Sequence, residues 1–212
     1  MSEFTKLEKD RILIYLHRNL KKLDFNNLNQ DLFFKKINIL KFSDNEGLVE
    51  IIADILFQDL EKKFLKDAKL KVNKVKKISE KIKFLLTVRF KIENNSSELI
   101  NKILTYLIKI NKSNKIITYI YSVADLMWNC ANDRSVDFNY YSKRLILSFV
   151  YSKILFFKFF KTNLKQNEIE QEIIKSLDQV KIISKFKLKL DFFKNVNEFF
   201  SFFTAQKVGR GF

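Results

Sequence analysis

Between Val123 and Tyr151 the chain reads V-A-D-L-M-W-N-C-A-N-D-R-S-V-D-F-N-Y-Y-S-K-R-L-I-L-S-F-V-Y. Residues able to do chemistry are concentrated here. The only Trp, the only Cys, three Asp, three Tyr and two of the six Arg fall within this stretch. Carboxylates, Arg and aromatic rings at such spacing order a loop, cap a helix or anchor a partner. They do not make a catalytic set. His17 is the sole His and Cys130 the sole Cys, far apart in sequence. Zinc and di-iron sites take several His or Cys ligands. No metal, no cofactor and no Ser-His-Asp nucleophile is expected. One Cys also excludes a disulfide within the chain and fits a reducing compartment.

Two helices joined by a polar loop at 131–138 must position these groups. Asp125 and Trp128 stand at i and i+3 on the first, so they share a face. The simple reading of Trp128 is a core aromatic whose indole N–H bonds a carbonyl. Ser135 and Asp137 can cap the second helix, where carboxylates also suit the helix dipole. On that second helix Tyr141, Arg144, Ser148 and Tyr151 fall on one face. Leu145, Phe149 and Phe156 fall on another, more apolar one. The first face is expected to meet a partner, the second to line the core or a lipid cavity.

The same segment resembles the signature of the coenzyme Q (ubiquinone) biosynthesis protein nine family. That pattern is A-D-x-x-W-x-x-A-G-D-x-S-x-D-x-N-W-Y-x-K-R-x-x-L-x-x-V-Y. Asn132 stands at its Gly. A Gly there implies a helix C-cap with positive φ, and Asn is the next best residue for it. Tyr140 stands at its first Trp of the Trp-Tyr pair. The resemblance implies a non-catalytic accessory protein that binds polyprenyl quinone intermediates at a membrane. It would present them to ring-modifying enzymes, above all the di-iron demethoxyubiquinone hydroxylase. On this basis Tyr121, Trp128, Leu145, Phe149 and Phe156 are expected at the lipid. Asp137, Asn139, Tyr140, Tyr141, Arg144 and Tyr151 are expected at the partner.

At 212 residues, with no Pro and three Gly, the chain lacks the punctuation of a β-rich fold. Helical periodicity runs almost throughout. Helices are expected near 6–23, 28–35, 37–40, 43–64, 78–92, 98–110, 116–130, 140–161, 168–186 and 190–205. Ser43 and Glu46 form a capping box before the long fourth segment. These first helices and L-K-F-S-D-N-E-G-L-V-E-I-I-A resemble the TetR regulator architecture, which the quinone family shares. The fold expected is an all-α, TetR-like bundle of about ten helices. Residues 1–189 form its helical domain, with a degenerate helix-turn-helix part at 1–42. Residues 190–212 form an appended amphipathic helix.

The net charge is +16, from 40 Lys plus Arg against 24 Asp plus Glu. Such charge suits nucleic acid or an acidic membrane surface, though an AT-rich coding bias also produces it. The candidate recognition helix, Phe34–Lys41, holds lysines but no Arg and no Gly at its turn. Lys brings charge without bidentate base reading. Nucleic acid is therefore not the expected partner, and a TetR-type DNA-binding regulator is the alternative. Membrane contact has a better carrier. Phe192, Phe193, Val196, Phe199, Phe200 and Phe203 make one apolar stripe, opposite Lys194, Asn197, Glu198 and Ser201. Lysines flank it, as suits an anionic headgroup boundary. Packing on the domain or on a second subunit would use the same stripe, and a homodimer is expected. The first ten residues lack signal- or transit-peptide character, and no apolar run reaches a membrane span. A peripheral protein on the cytoplasmic face of a bacterial inner membrane, or its mitochondrial matrix equivalent, is expected.

Overall fold

Thr5 opens the first helix with a reciprocal cap. Its Oγ1 accepts from the Glu8 N–H at 3.3 Å, and Glu8 Oε2 accepts from the Thr5 N–H at 2.8 Å. The computed structural model describes residues 4–39, 47–69, 71–134, 136–161 and 164–185. Among them the regular elements are all helical. They are α1 (Lys6–Arg18), α2 (Gln30–Lys36), α3 (Leu48–Lys69), α4 (Ile78–Asn94), α5 (Ser97–Lys109), α6 (Ser113–Cys130), α7 (Asp137–Phe160) and α8 (Gln166–Lys185). Single 3-10 turns stand at Leu20–Lys22 and Val72–Lys74. This all-α bundle is consistent with the TetR-like architecture. The helix and aromatic stripe expected at 190–205, with Phe192, Phe193, Phe199, Phe200 and Phe203, lie outside the described residues.

α3 is the central helix. Ile52, Leu56, Leu60 and Phe64 along it are all 0–1% exposed, and it packs against α1, α4, α5 and α6. It is buried almost all round in its first half, where only Glu50 and Asp54 interrupt the apolar residues of 48–57. α5 adds Leu99, Ile100, Ile103, Leu104 and Leu107, a helical i, i+1, i+4, i+5, i+8 stripe, to the same core. α6, α7 and α8 pack in sequence, and α8 returns to α4.

Asparagine terminates three of these helices. The described non-glycine residues with positive φ are Asn38 (54°), Asn111 (62°) and Asn132 (59°). Each sits one residue past the C-cap of α2, α5 and α6 respectively. Behind each, the next N–H reaches back five residues: Ile39 to Phe34 O at 3.0 Å, Lys112 to Leu107 O at 2.8 Å, Asp133 to Trp128 O at 3.1 Å. These are Schellman closures, usually made with glycine. A chain with three glycines uses Asn, the next residue able to enter the left-handed region. The left-handed conformation expected at Asn132 is therefore present. Replacing Asn132 or Asn111 with Gly is expected to raise stability by about 0.5–1 kcal/mol, and with Ala to lower it. Thermal melting by circular dichroism measures both signs.

The Asn38 closure corrects the expected helix at 37–40. α2 ends at Lys36, so Phe34–Lys36 are its last turn and Asn38 breaks the run. Of Phe34–Lys41, only Phe34–Lys36 are helical among the described residues. The long helix also starts later than expected. Gly47 is outside it, and its carbonyl accepts from the Glu50 and Ile51 N–H groups at 2.9 and 3.2 Å. The proposed capping residues Ser43 and Glu46 lie outside the described residues.

Candidate functional site

α6 and α7 form an antiparallel pair. Trp128 contacts Lys143, Asp125 contacts Arg144 and Tyr119 contacts Tyr151, so partners move apart in sequence as the pair runs on. The Asn132 closure turns the chain out of α6. Val136 occupies the N-cap position of α7 without a side-chain cap bond. Ser135 lies outside the described residues, as do the side chains of Asp137 and Phe138.

Arg144 is the centre of this corner and is 1% exposed. Its Nε donates to Asp125 Oδ1 at 2.5 Å, Nη1 to the Tyr140 carbonyl at 3.1 Å and Nη2 to Asn129 Oδ1 at 3.3 Å. Nη1 also lies 3.6 Å from Asp133 Oδ2. The guanidinium stacks 3.3 Å from the centre of the Tyr140 ring. Asp133 in turn holds Lys143 at 2.8 Å, and Lys143 sits over the Trp128 ring. Trp128 donates its indole N–H to the Lys143 carbonyl at 3.0 Å, as the simple reading of that residue expected.

A second polar cluster lies deeper. Arg89 and Glu93 on α4 are 0% exposed and face Tyr119 on α6 and Tyr151 on α7. Arg89 Nε donates to Glu93 Oε1 at 2.5 Å, the Tyr151 hydroxyl donates to the same oxygen at 2.5 Å, and the Tyr119 hydroxyl at 3.0 Å. Arg89 Nη2 also donates to the Tyr119 hydroxyl. Burial opposes the Arg89 charge, but the Tyr119 hydroxyl and the Glu93 carboxylate outweigh it and hold the guanidinium protonated. Burial raises both tyrosines above the ordinary phenol range, so they stay neutral donors.

These contacts correct the face expected to meet a partner. Arg144, Ser148 and Tyr151 point inward and are 1%, 3% and 0% exposed. The reason is that α4 offers a buried carboxylate, Glu93, and α6 a half-buried one, Asp125, which draw the polar side of α7 inward. Arg144 and Tyr151 therefore do not present an outward surface. Tyr141 does, at 61% exposed, with its ring edge-on to the half-buried Tyr140. Asn139 is exposed beside them. Tyr121 is half-buried, and its hydroxyl pKa is raised by burial and by the nearby Tyr140.

The apolar side of α7 is rotated in the same sense. A trough of about 410 Å³ runs between α4, α6, α7 and α8. Ile146, Leu147 and Val150 line it from α7, opposite Ile82, Leu177 and Val180, with Trp128 at one end. Of the five residues expected at a lipid, Trp128 alone is in its wall. Tyr121, Leu145, Phe149 and Phe156 are not. Leu145 and Phe149 are half-buried elsewhere on α7, and Phe156 is buried. Arg89, Glu93 and Tyr119 were missed altogether. The available signal was Arg89-x-x-x-Glu93, an i, i+4 ion pair set among Leu85, Leu86 and Phe90. Among the described residues no group of three or more His, Cys, Asp or Glu is placed to hold a metal.

No curated protein matches the chain. The family model COQ9 matches residues 113–183, which cover α6, α7 and most of α8 and so carry the Arg144 corner and most of the trough wall. The match spans about a third of the chain and supports its assignment to the COQ9 family.

Proposed function

We propose that this protein is a non-catalytic accessory factor that binds a polyprenyl quinone intermediate and presents it to ring-modifying enzymes, with the di-iron hydroxylase as its main partner. The match to the COQ9 family model supports a role in ubiquinone biosynthesis. The finer reading rests chiefly on the apolar trough, because it lies mostly within the family segment. Its 410 Å³ falls in the range of ligand pockets, about 300–1,000 Å³, and its wall is mostly aliphatic. A long isoprenoid stays in the bilayer unless a protein surface replaces lipid around it. An open apolar trough does that without enclosing the whole tail. Among the described residues no helix is long and apolar enough to cross a membrane. The net charge of +16 favours an anionic bilayer as the surface on which the exchange happens.

The test is mass spectrometry of lipids that co-purify with the protein. The wild type is expected to carry an isoprenoid quinone or its precursor. Ile146→Trp fills the trough from a half-buried wall position and is expected to lower the bound amount about tenfold, equivalent to about 1.4 kcal/mol. A wild-type protein without isoprenoid, or a folded Ile146→Trp with undiminished lipid, would falsify this reading.

A further inference from the structure

Half of the net charge sits in one short stretch. Residues 62–83, about a tenth of the chain, hold ten Lys and no Arg against Asp67 and Glu80, a balance of +8 out of +16. A compositional bias alone would spread that charge evenly. The stretch covers the end of α3, the turn at 71–77 and the start of α4. Lys63 pairs with Asp59, Lys77 with Glu80, and Lys81 donates to the Ala131 carbonyl at 3.4 Å. The other seven lysines are exposed, and their ammonium groups have no hydrogen bond or ion pair among the described residues. Lys66 and Lys69 suit the negative end of the α3 dipole. Lys76 and the N-cap Lys77 stand at the opposite kind of helix end, the start of α4, where the dipole disfavours a cation. The turn itself is held in shape. Val72 is buried, and the Lys74 N–H bonds the Lys71 carbonyl at 3.1 Å. Its lysines repel one another on a fixed support, a cost that an anionic surface removes.

What lies beside the lysines decides the partner. Ile78 and Ile174, 43% and 40% exposed, both line the trough and give it an open apolar rim. Lys83, one of the seven, lines it too. A nucleic acid leaves such a rim unused. Residues 62–83 also offer it no Arg for bidentate phosphate contact and, Phe64 being buried, no exposed aromatic ring for base stacking. A headgroup boundary uses the whole combination. The isoleucines enter the acyl edge, and the lysines reach phosphates with their stems along the apolar surface.

We infer that the basic turn at 71–77 is a contact surface for anionic lipid headgroups, and that it seats the open rim of the trough, at Ile78 and Ile174, on the bilayer. The surface is separate from the aromatic stripe expected at 190–205 and stands on its own lysines. That a quinone crosses the rim rests on the function proposed above.

Sedimentation of the full chain with vesicles tests the surface. The wild type is expected to bind phosphatidylcholine vesicles that contain about a third phosphatidylglycerol, and pure phosphatidylcholine far more weakly. Lys71→Glu with Lys74→Glu and Lys76→Glu is expected to weaken binding on the order of a hundredfold. Lys21→Glu with Lys22→Glu and Lys36→Glu makes the same change in net charge at exposed positions around α2, and is expected to cost less than about tenfold. Both triple variants keep the aromatic stripe, so the stripe cannot produce the difference. Lys71→Gln with Lys74→Gln and Lys76→Gln removes charge without reversing it and is expected to fall between the wild type and the reversal. Ile78→Trp is expected to be quenched by vesicles with brominated acyl chains, measured against the Trp128 background of the wild type. No binding of the wild type to anionic vesicles, or equal losses in the two charge-reversed variants, overturns the inference. An Ile78→Trp ring left unquenched on bound protein overturns the seating of the rim. Duplex DNA that binds the wild type and is lost in the 71–77 variant, with vesicle binding intact, gives the surface to nucleic acid and overturns it as well. Co-purified isoprenoid in the wild type alongside equal losses sinks the surface and leaves the proposed function standing. A loss specific to the turn, with no isoprenoid in the wild type, supports the surface and sinks that function instead.

Discussion

Glu93→Ala is expected to destabilise the fold by about 3–5 kcal/mol, much of what holds a domain together. One carboxylate oxygen accepts from Arg89, Tyr119 and Tyr151 together, and Glu93 itself is fully buried. Removing it strands the Arg89 charge in a dry interior and takes the acceptor from two buried hydroxyls. Breaking one half of a buried pair is costly because of the charge left behind, not because the pair itself is strongly stabilising. The double variant Arg89→Met with Glu93→Leu is therefore expected to lie closer to the wild type than Glu93→Ala does. Urea unfolding followed by circular dichroism compares the three. Each kcal/mol moves the melting temperature by about 2–4 °C in a domain of this size, so Glu93→Ala should melt on the order of 10 °C lower. A single variant within about 1 kcal/mol of the wild type would mean that the cluster is open to water.

The helices were legible because their signals are local. Leu99, Ile100, Ile103, Leu104 and Leu107 mark α5 by spacing alone, and Asn132 marks the end of α6 by its conformational tolerance. Trp128 is half-buried, and its indole N–H bonds a carbonyl. The site was harder to read because its logic is not local. Arg144 and Tyr151 are polar, and residue type alone turns them toward solvent or a partner. Their burial depends on Asp125 and Glu93, which lie 19 and 58 residues away. Once these partners fix the rotation of α7, the apolar side shifts too, and Ile146, Leu147 and Val150 replace Leu145, Phe149 and Phe156 at the trough. The error at 37–40 had the opposite cause. Apolar residues continue the helical period, but Asn38 takes a positive φ and closes the helix end, as Asn111 and Asn132 do.

Arg144→Ala and Tyr141→Ala are expected to separate stability from partner binding. Arg144 is 1% exposed, pairs with Asp125, lies near Asp133 and stacks on the Tyr140 ring. Its removal leaves Asp133, whose side chain is 6% exposed, without its guanidinium neighbour. The expected cost is about 3 kcal/mol or more, with a lower unfolding midpoint in urea. Tyr141 is 61% exposed, and its truncation is expected to change stability by about 0.5 kcal/mol or less. If this corner is where the hydroxylase docks, Tyr141→Ala should lose about 2 kcal/mol of binding, more than a tenfold drop in affinity. Surface plasmon resonance against the purified hydroxylase reads the second quantity, and co-purified lipid serves as the control that the trough is intact. Full affinity in Tyr141→Ala would move the docking surface away from this corner. A stable Arg144→Ala with lost affinity would show that the guanidinium leaves its aspartates to meet the partner, and the buried position would then be a resting state.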